Sequence, residues 1–167
     1  GAPGRGLAVT CRRRPGRIAG LDELDMAGSF NTVGGCDEGL VLVGGPSGCG
    51  KASTLAALVD QLNRERSLHI ITLEDPVEVI HSSQRSLVNQ REVGRHCTGF
   101  AQGLRSALRQ DPDVIMIGEL RDLATIRLAL RAAETGHLVL ATVHTRSAVR
   151  SEERRVGNEG WIRRAPV

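Results

Sequence analysis

The segment Leu40–Leu58 reads LVLVGGPSGCGKASTLAAL and joins three patterns in a fixed order. An apolar run stops at two glycines, and a helical pattern begins directly after Lys51. This order predicts a strand, a glycine-rich loop and a helix, and within it Gly45, Gly50 and Lys51 match the phosphate-loop pattern G-x-x-x-x-G-K. Glycines let backbone N–H groups face phosphate oxygens at the positive end of the new helix. The residues predicted to bind a nucleotide are Gly45, Pro46, Ser47, Gly48, Cys49, Gly50, Lys51, Ala52 and Ser53.

One position departs from this pattern. The motif normally closes with Ser or Thr, whose hydroxyl holds a magnesium ion, and here the residue is Ala52. Ser53 follows, but one helical step turns a side chain by about 100°, so it does not simply replace the missing hydroxyl. The loop therefore predicts nucleotide binding more firmly than hydrolysis. A chance glycine-rich turn is the alternative, and the order of strand, loop and helix argues against it.

Composition and charge are those of an ordinary globular chain of 167 residues, with 40% hydrophobic and 25% charged residues. No apolar run reaches the length of a membrane span, and we expect no transmembrane segment. The net charge of +3 comes from the ends: residues 1–20 contain five arginines and no acid, and residues 150–167 contain five arginines and three glutamates. The middle of the chain is therefore acidic. Together with only 2% aromatic residues, this argues against nucleic acid as a partner.

Further apolar runs predict a buried sheet. Strands are expected at residues 40–43, 68–73, 113–119 and 138–143, alternating with helices whose apolar faces contain Leu55, Leu58, Val59 and Leu62; Phe100, Leu104, Ala107 and Leu108; and Leu123, Ile126, Leu130 and Ala133. Asp122 is expected to cap the third helix and Gly136 to end it. Nearly continuous apolar strands separated by helices predict an α/β fold with a mostly parallel sheet and helices on both faces.

Ligands of such sheets bind at the carboxyl ends of the strands. Polar residues follow three of the predicted strands there: Glu74 and Glu78, Glu119, and His144. A carboxylate near the γ-phosphate can deprotonate or orient the attacking water, and one opposite the loop can orient a magnesium-bound water. We therefore predict Glu74, Glu78 and Glu119 as catalytic residues, each with a solvated surface acid as its alternative. His144 is placed to sense the γ-phosphate, and no set of residues has the spacing of a zinc site.

At these residues the chain resembles the motor ATPases of bacterial type IV pili and type II secretion, most nearly the pilus retraction (twitching motility) branch. The matching segments are GPSGCGK, ITLEDPVE, LVNQREVG, ALRQDPDVIMIGELRD and AETGHLVLATVHT, which lie in order between Leu21 and Ala148. NQRE (Asn89–Glu92) favours retraction over the assembly and secretion branches.

This resemblance implies a P-loop RecA-like core that uses ATP and Mg²⁺. It implies a homohexamer in the cytoplasm, peripheral to the inner membrane, that contacts the platform proteins at the pilus base. By residue match it places Lys51 in the Walker A motif, Glu74 and Glu78 in the Asp box, Glu119 in the Walker B motif, and His137 and His144 in the His box. Glu78 matches the base for the attacking water.

The resemblance also divides the chain. Residues 1–20 are interpreted as a linker or the truncated edge of a missing N-terminal PAS-like domain. Residues 21–149 are interpreted as the RecA-like ATPase domain, truncated at its C-terminus. Residues 150–167 resemble the translation of a sequencing adapter and are interpreted as a non-native tail, with a natural arginine-rich helix or disordered tail as the alternative. Three hypotheses for function remain: a retraction ATPase or its assembly or secretion relatives, a nucleotide-binding ring subunit with little or no hydrolysis, and a DNA motor.

Overall fold

The computed structural model describes residues 33–144, residues 18 and 20, and the backbone of residues 154–156 and 160–165. Most of residues 1–20, interpreted as a linker or domain edge, lie outside the described residues. The strands are β1 (Gly39–Gly45), β2 (His69–Glu74), β3 (Leu87–Glu92), β4 (Val114–Ile117), β5 (Leu138–His144), β6 (Arg154–Val156) and β7 (Gly160–Ala165). The helices are α1 (Lys51–Glu65), α2 (Phe100–Leu108) and α3 (Leu123–Glu134).

These strands form one sheet in the order β3-β2-β4-β5-β1-β7-β6. The five strands from β3 to β1 are parallel to their neighbours, whereas β7 pairs antiparallel with β1 and with β6. In consequence, β1, β5, β4 and β2 all end at the same edge of the sheet. The phosphate loop follows β1 and the 75–81 loop follows β2, while Glu119 lies two residues after β4 and His144 is the last residue of β5. The predicted mostly parallel sheet is confirmed.

Helices cover both faces of this sheet. Alternate strand residues such as Val41, Met116 and Leu140 pack against α1, while their neighbours, including Ile115 and Val139, pack against α2 and α3. Side chains alternate between the faces of a strand, so burial on both faces makes the strand sequences continuously apolar. The predicted three-layer α/β arrangement is therefore confirmed, and the four apolar strands are the ones expected.

The caps of α3 also agree with the sequence, but its buried face does not. Asp122 accepts a hydrogen bond from the Thr125 backbone N–H at 2.8 Å, and Gly136 follows the helix with a φ of +95°. The predicted apolar face is wrong at two positions, because Leu123 and Leu130 are 60% and 42% exposed, whereas Ala133 is buried as predicted. Beside Ala133, the helix buries Thr125, Ala129 and Ala132. These small residues allow α3 to pack closely on the sheet and α2, and the leucines remain outside.

Strand β3 was not predicted. Its sequence LVNQRE is polar over its second half, and its burial is only partial because β3 is the edge strand of the sheet. An edge strand pairs with only one neighbouring strand and is less buried than a central strand. Its sequence therefore does not need the continuous apolar run that identifies a central strand. β3 pairs in parallel with β2, and that register places Gln90 beside Thr72 and Glu92 beside Glu74.

Candidate functional site

The loop between β1 and α1 has the backbone of a phosphate cradle. Gly48 and Gly50 have φ values of +80° and +92°, which side chains larger than hydrogen disfavour. Gly50 is also the N-cap of α1 and offers no side-chain hydrogen bond to the helix. The first N–H groups of α1 are therefore left without a side-chain cap, at the end of the helix that carries partial positive charge.

Lys51 is held over this loop. Its side chain is buried, and Nζ donates hydrogen bonds of 2.7 Å to the carbonyl oxygens of both Gly45 and Pro46. Two carbonyl contacts fix the ammonium group inside the curve of the loop, where it can exchange them for the oxygens of an anion. The structure thus brings together the glycines, the lysine and the helix start that the motif requires.

Beside the first turn of α1 lies a cleft of about 130 Å³. Its lining includes Ala52 and Ser53 of α1 together with Glu74, Glu78 and Glu119. All three carboxylates predicted to be catalytic therefore line one cavity next to the phosphate loop. Ala52 and Ser53 are both exposed to it, so the position normally occupied by a metal-binding hydroxyl faces the cleft as a methyl group.

Glu74 is the most deeply buried of these acids, with 9% of its surface exposed. Its Oε1 accepts hydrogen bonds from Thr72 Oγ1 at 2.7 Å and from Gln90 Nε2 at 3.0 Å. Burial raises the pKa of the Glu74 carboxyl above its ordinary value, while these hydrogen bonds and one from the Glu78 backbone act in the opposite direction. The two side-chain donors follow from the strands, since Thr72 and Glu74 share a face of β2 and Gln90 is the register partner of Thr72.

Glu119 follows β4 and is held from two sides. One carboxylate oxygen, Oε1, lies 2.9 Å from His144 Nε2, and the other accepts a hydrogen bond from Arg121 Nε. Thr142 Oγ1 donates to the Gly118 carbonyl at 2.5 Å and connects β5 to the segment that carries Glu119. His144, at the carboxyl end of β5, therefore contacts a carboxylate that lines the cleft.

His137 is not brought to this site. It precedes β5, and its Nδ1 lies 2.7 Å from the Pro112 carbonyl oxygen, before β4. A seven-residue strand spans roughly 20 Å, so His137 and His144 lie at opposite ends of β5. His137 therefore lies at the amino-terminal ends of β4 and β5, away from the phosphate loop.

Three contacts at the site were not predicted. Thr72 and Gln90 hold Glu74, and Arg121 holds Glu119. Gln90 can be recognised only from the register of β3, although it belongs to the NQRE segment that favours the retraction branch. For Arg121, its position two residues after Glu119 was an available signal.

A metal at this site would need ligands beyond the protein. Among residues 18, 20 and 33–144, no three His, Cys, Asp or Glu side chains form a group that could hold a metal ion. Mg²⁺ commonly binds through one or two carboxylates together with phosphate oxygens and water, so a set of separated carboxylates fits a metal that arrives with a nucleotide. In the described part of the chain, no helix combines the length and the apolar character needed to cross a membrane.

The comparisons with known proteins agree with this geometry. The family model described as "Type II/IV secretion system protein" matches residues 23–156. The type IV pilus retractation ATPase PilT of Pseudomonas aeruginosa is 53% identical over 150 residues, which cover 90% of this chain and 44% of that protein. A twitching motility protein of Neisseria gonorrhoeae is 49% identical over 151 residues, 90% of this chain and 40% of its own.

A solved structure shares the fold. The crystal structure of the pilus retraction motor PilT with bound ADP superposes with a TM-score of 0.79 at 49% identity, covering 82% of this chain and 40% of that one. The chain thus spans less than half the length of each of these relatives. The superposition identifies the sheet and its helices as the predicted P-loop RecA-like core. Because the family model matches residues 23–156, which are most of this chain, the chain belongs to the type II/IV secretion system protein family.

Proposed function

We propose that this chain is the ATP-binding and ATP-hydrolysing motor domain of a type IV pilus retraction ATPase, which powers twitching motility. The observation that supports this most strongly is that Glu74, Glu78 and Glu119 line the same cleft as Ala52 and Ser53 of the first turn of α1. A phosphate loop alone would suit any nucleotide-binding protein. Three carboxylates converging on it suit a reaction in which water must be positioned and deprotonated.

The loop residues 45–53 bind the phosphates of ATP. The left-handed glycines turn backbone N–H groups inward, and α1 adds its positive end. Lys51 is held beside the loop by the Gly45 and Pro46 carbonyls and offers its ammonium group to the β- and γ-phosphates. The chain therefore contributes both the fixed dipoles and a positive charge for the phosphates of ATP.

The carboxylates divide the remaining work. Glu78 accepts the proton of the attacking water. Glu119, two residues after the end of β4, would orient a water bound to Mg²⁺. His144 and Arg121 each contact one oxygen of Glu119, so that its carboxylate plane is fixed from two sides. Bound Mg²⁺ supplies neutralisation of charge on the phosphates.

The partners and location follow from the family resemblance. The proposed assembly is a homohexamer in the cytoplasm, peripheral at the inner membrane, that contacts the platform proteins at the pilus base. The sequence identity of 53% with a pilus retraction ATPase and of 49% with a twitching motility protein supports retraction over the assembly and secretion branches.

One observation favours a second candidate. Ala52 lines the cleft at the position where a hydroxyl would bind the metal. If the metal binds too weakly without that hydroxyl, the chain is a ring subunit that binds nucleotide with little or no hydrolysis. The two candidates differ in turnover and share nucleotide binding.

Calorimetry with ATP, with and without Mg²⁺, tests the proposal. The unsubstituted protein should bind ATP, and Lys51→Ala should abolish that binding. Arg64→Ala removes one positive charge from the last turn of the same helix and should leave binding unchanged. Glu78→Gln should bind ATP normally and lose turnover. Normal turnover by that variant would remove Glu78 from the role of base, and absence of binding by the folded, unsubstituted protein would refute the whole proposal.

A further inference from the structure

Glu78 lies in a loop of irregular structure, residues 75–81, which we call the Glu78 loop. Catalytic groups need a fixed geometry, and a displacement of about 1 Å can reduce a rate roughly 100-fold. A loop that has no ladder of its own must be held by hydrogen bonds from elsewhere. The described contacts show where these come from.

The neighbouring edge strand β3 supplies three of the described hydrogen bonds. Glu92 Oε2 accepts a hydrogen bond of 2.9 Å from the Val77 backbone N–H, immediately before Glu78. Gln90 Nε2 donates to the Val79 carbonyl at 2.8 Å, immediately after Glu78. Gln90 Oε1 accepts from the His81 backbone N–H, also at 2.8 Å. β3 therefore holds the chain on both sides of Glu78.

Gln90 has one further contact within the site. The same Nε2 donates to Glu74 Oε1 at 3.0 Å, so that its amide group uses two N–H donors and its carbonyl oxygen at once. The Glu78 backbone also hydrogen-bonds to Glu74. Gln90 thus connects the buried carboxylate of β2 to two points of the Glu78 loop, and each of its described partners belongs to the cleft wall.

The chemistry of this position is specific. Among uncharged side chains, only a carboxamide combines two N–H donors and a carbonyl acceptor in one planar group. Glutamate has the same shape, but its second oxygen would face the Glu74 carboxylate and the Val79 carbonyl without a proton to share. Methionine has nearly the same length and makes none of the three contacts. Each substitution therefore separates the volume of the side chain from its hydrogen bonds.

We propose that Gln90 is a positioning residue for ATP hydrolysis, which holds the Glu78 loop and so places the Glu78 carboxylate against the first turn of α1. This inference rests on the proposed function, because it assumes that Glu78 acts on water at the bound nucleotide. Gln90 itself acts only through the loop and through Glu74.

The test compares Gln90→Met with Asn89→Ala, an exposed amide on the same strand, by two measurements. Hydrogen exchange of the backbone amides should become faster at His81 in Gln90→Met, while the Val77 amide, held by Glu92, changes less. ATP turnover of Gln90→Met should fall about 10- to 100-fold with a KM within about twofold, because the phosphate loop is untouched. Asn89→Ala should match the unsubstituted protein in both.

Each other outcome overturns the inference. Unchanged exchange at His81 would mean that Gln90 does not hold the loop. Faster exchange with normal turnover would mean that the position of the loop does not govern Glu78, and an equal loss of ATP affinity would indicate general disruption of the site. If the unsubstituted protein binds ATP without hydrolysing it, the proposed motor function fails together with this inference, and that failure is recognised before any substitution is made.

Discussion

The hydroxyl of Thr72 provides a quantitative test of the carboxylate network. Thr72 is fully buried, and its Oγ1 donates to Glu74 Oε1 at 2.7 Å. Thr72→Val replaces that hydroxyl with a methyl group of similar size. A hydrogen bond to a charged group contributes about 1.5–3 kcal/mol, and Gln90 remains as a second donor, so we expect a loss of about 2 kcal/mol in the free energy of unfolding near neutral pH.

The loss should depend on pH. The pKa of Glu74 is raised in the folded state above its ordinary value of 4.5, chiefly by burial, so the folded protein retains a proton that the unfolded chain has released. Stability therefore falls as pH rises from the unfolded pKa through the folded pKa. Removing the Thr72 donor raises the folded pKa further, because the ionised carboxylate loses a partner. The destabilisation should consequently be larger at about pH 8 than at about pH 4.5.

Urea unfolding followed by circular dichroism at the two pH values measures this difference. Thr142→Val is the matched control: its buried hydroxyl donates to the neutral Gly118 carbonyl, so its loss of about 1 kcal/mol should be independent of pH. An equal loss for Thr72→Val at both pH values would refute the assignment of Glu74 as a buried carboxyl supported by Thr72. A loss below about 0.5 kcal/mol near neutral pH would do the same.

Two further predictions concern the cleft. Ala52→Ser should strengthen Mg²⁺-dependent ATP binding by restoring the metal-binding hydroxyl, with Arg64→Ala as the control. Calorimetry with and without the metal measures both, and an unchanged metal dependence would show that other groups already supply the coordination. His81, which is buried with an unpartnered Nδ1, has a pKa lowered by burial despite the nearby Asp60 carboxylate, so stability should fall as pH drops through 6.5 toward the folded pKa. His81→Gln should flatten that loss between about pH 7 and pH 5 in thermal unfolding scans, and an unchanged slope would place the titrating group elsewhere.

The sequence was most informative where one physical signal acted alone. Continuous apolar runs identified β1, β2, β4 and β5, because a strand buried on both faces has few alternatives. Glycine and lysine at fixed spacing located the phosphate loop for a similar reason. Carboxylates that directly follow such strands were expected to meet at one edge of the sheet, and Glu74, Glu78 and Glu119 do line the same cleft.

The sequence was less informative where partners decide. Leu123 and Leu130 have the spacing of a buried face, yet alanines contact the sheet because α3 packs closely there. Strand β3 lacks a continuous apolar run, since it is an edge strand that pairs with only one other strand. The role of Gln90 depends on that strand's register, which no local pattern specifies. His137 and His144 share a motif, but a whole strand lies between them.

Lys51 is the only lysine in the chain, and its amine is buried between two carbonyl groups. Reagents that acylate side-chain amines consequently have a single target, and that target lies in the phosphate loop. The rate of acylation then serves as a built-in gauge of loop occupancy. A bound triphosphate would protect the amine, and the modified Lys51 peptide, separated in a mass spectrum from the acylated amino-terminal peptide, would report the fraction of protein whose loop is unoccupied.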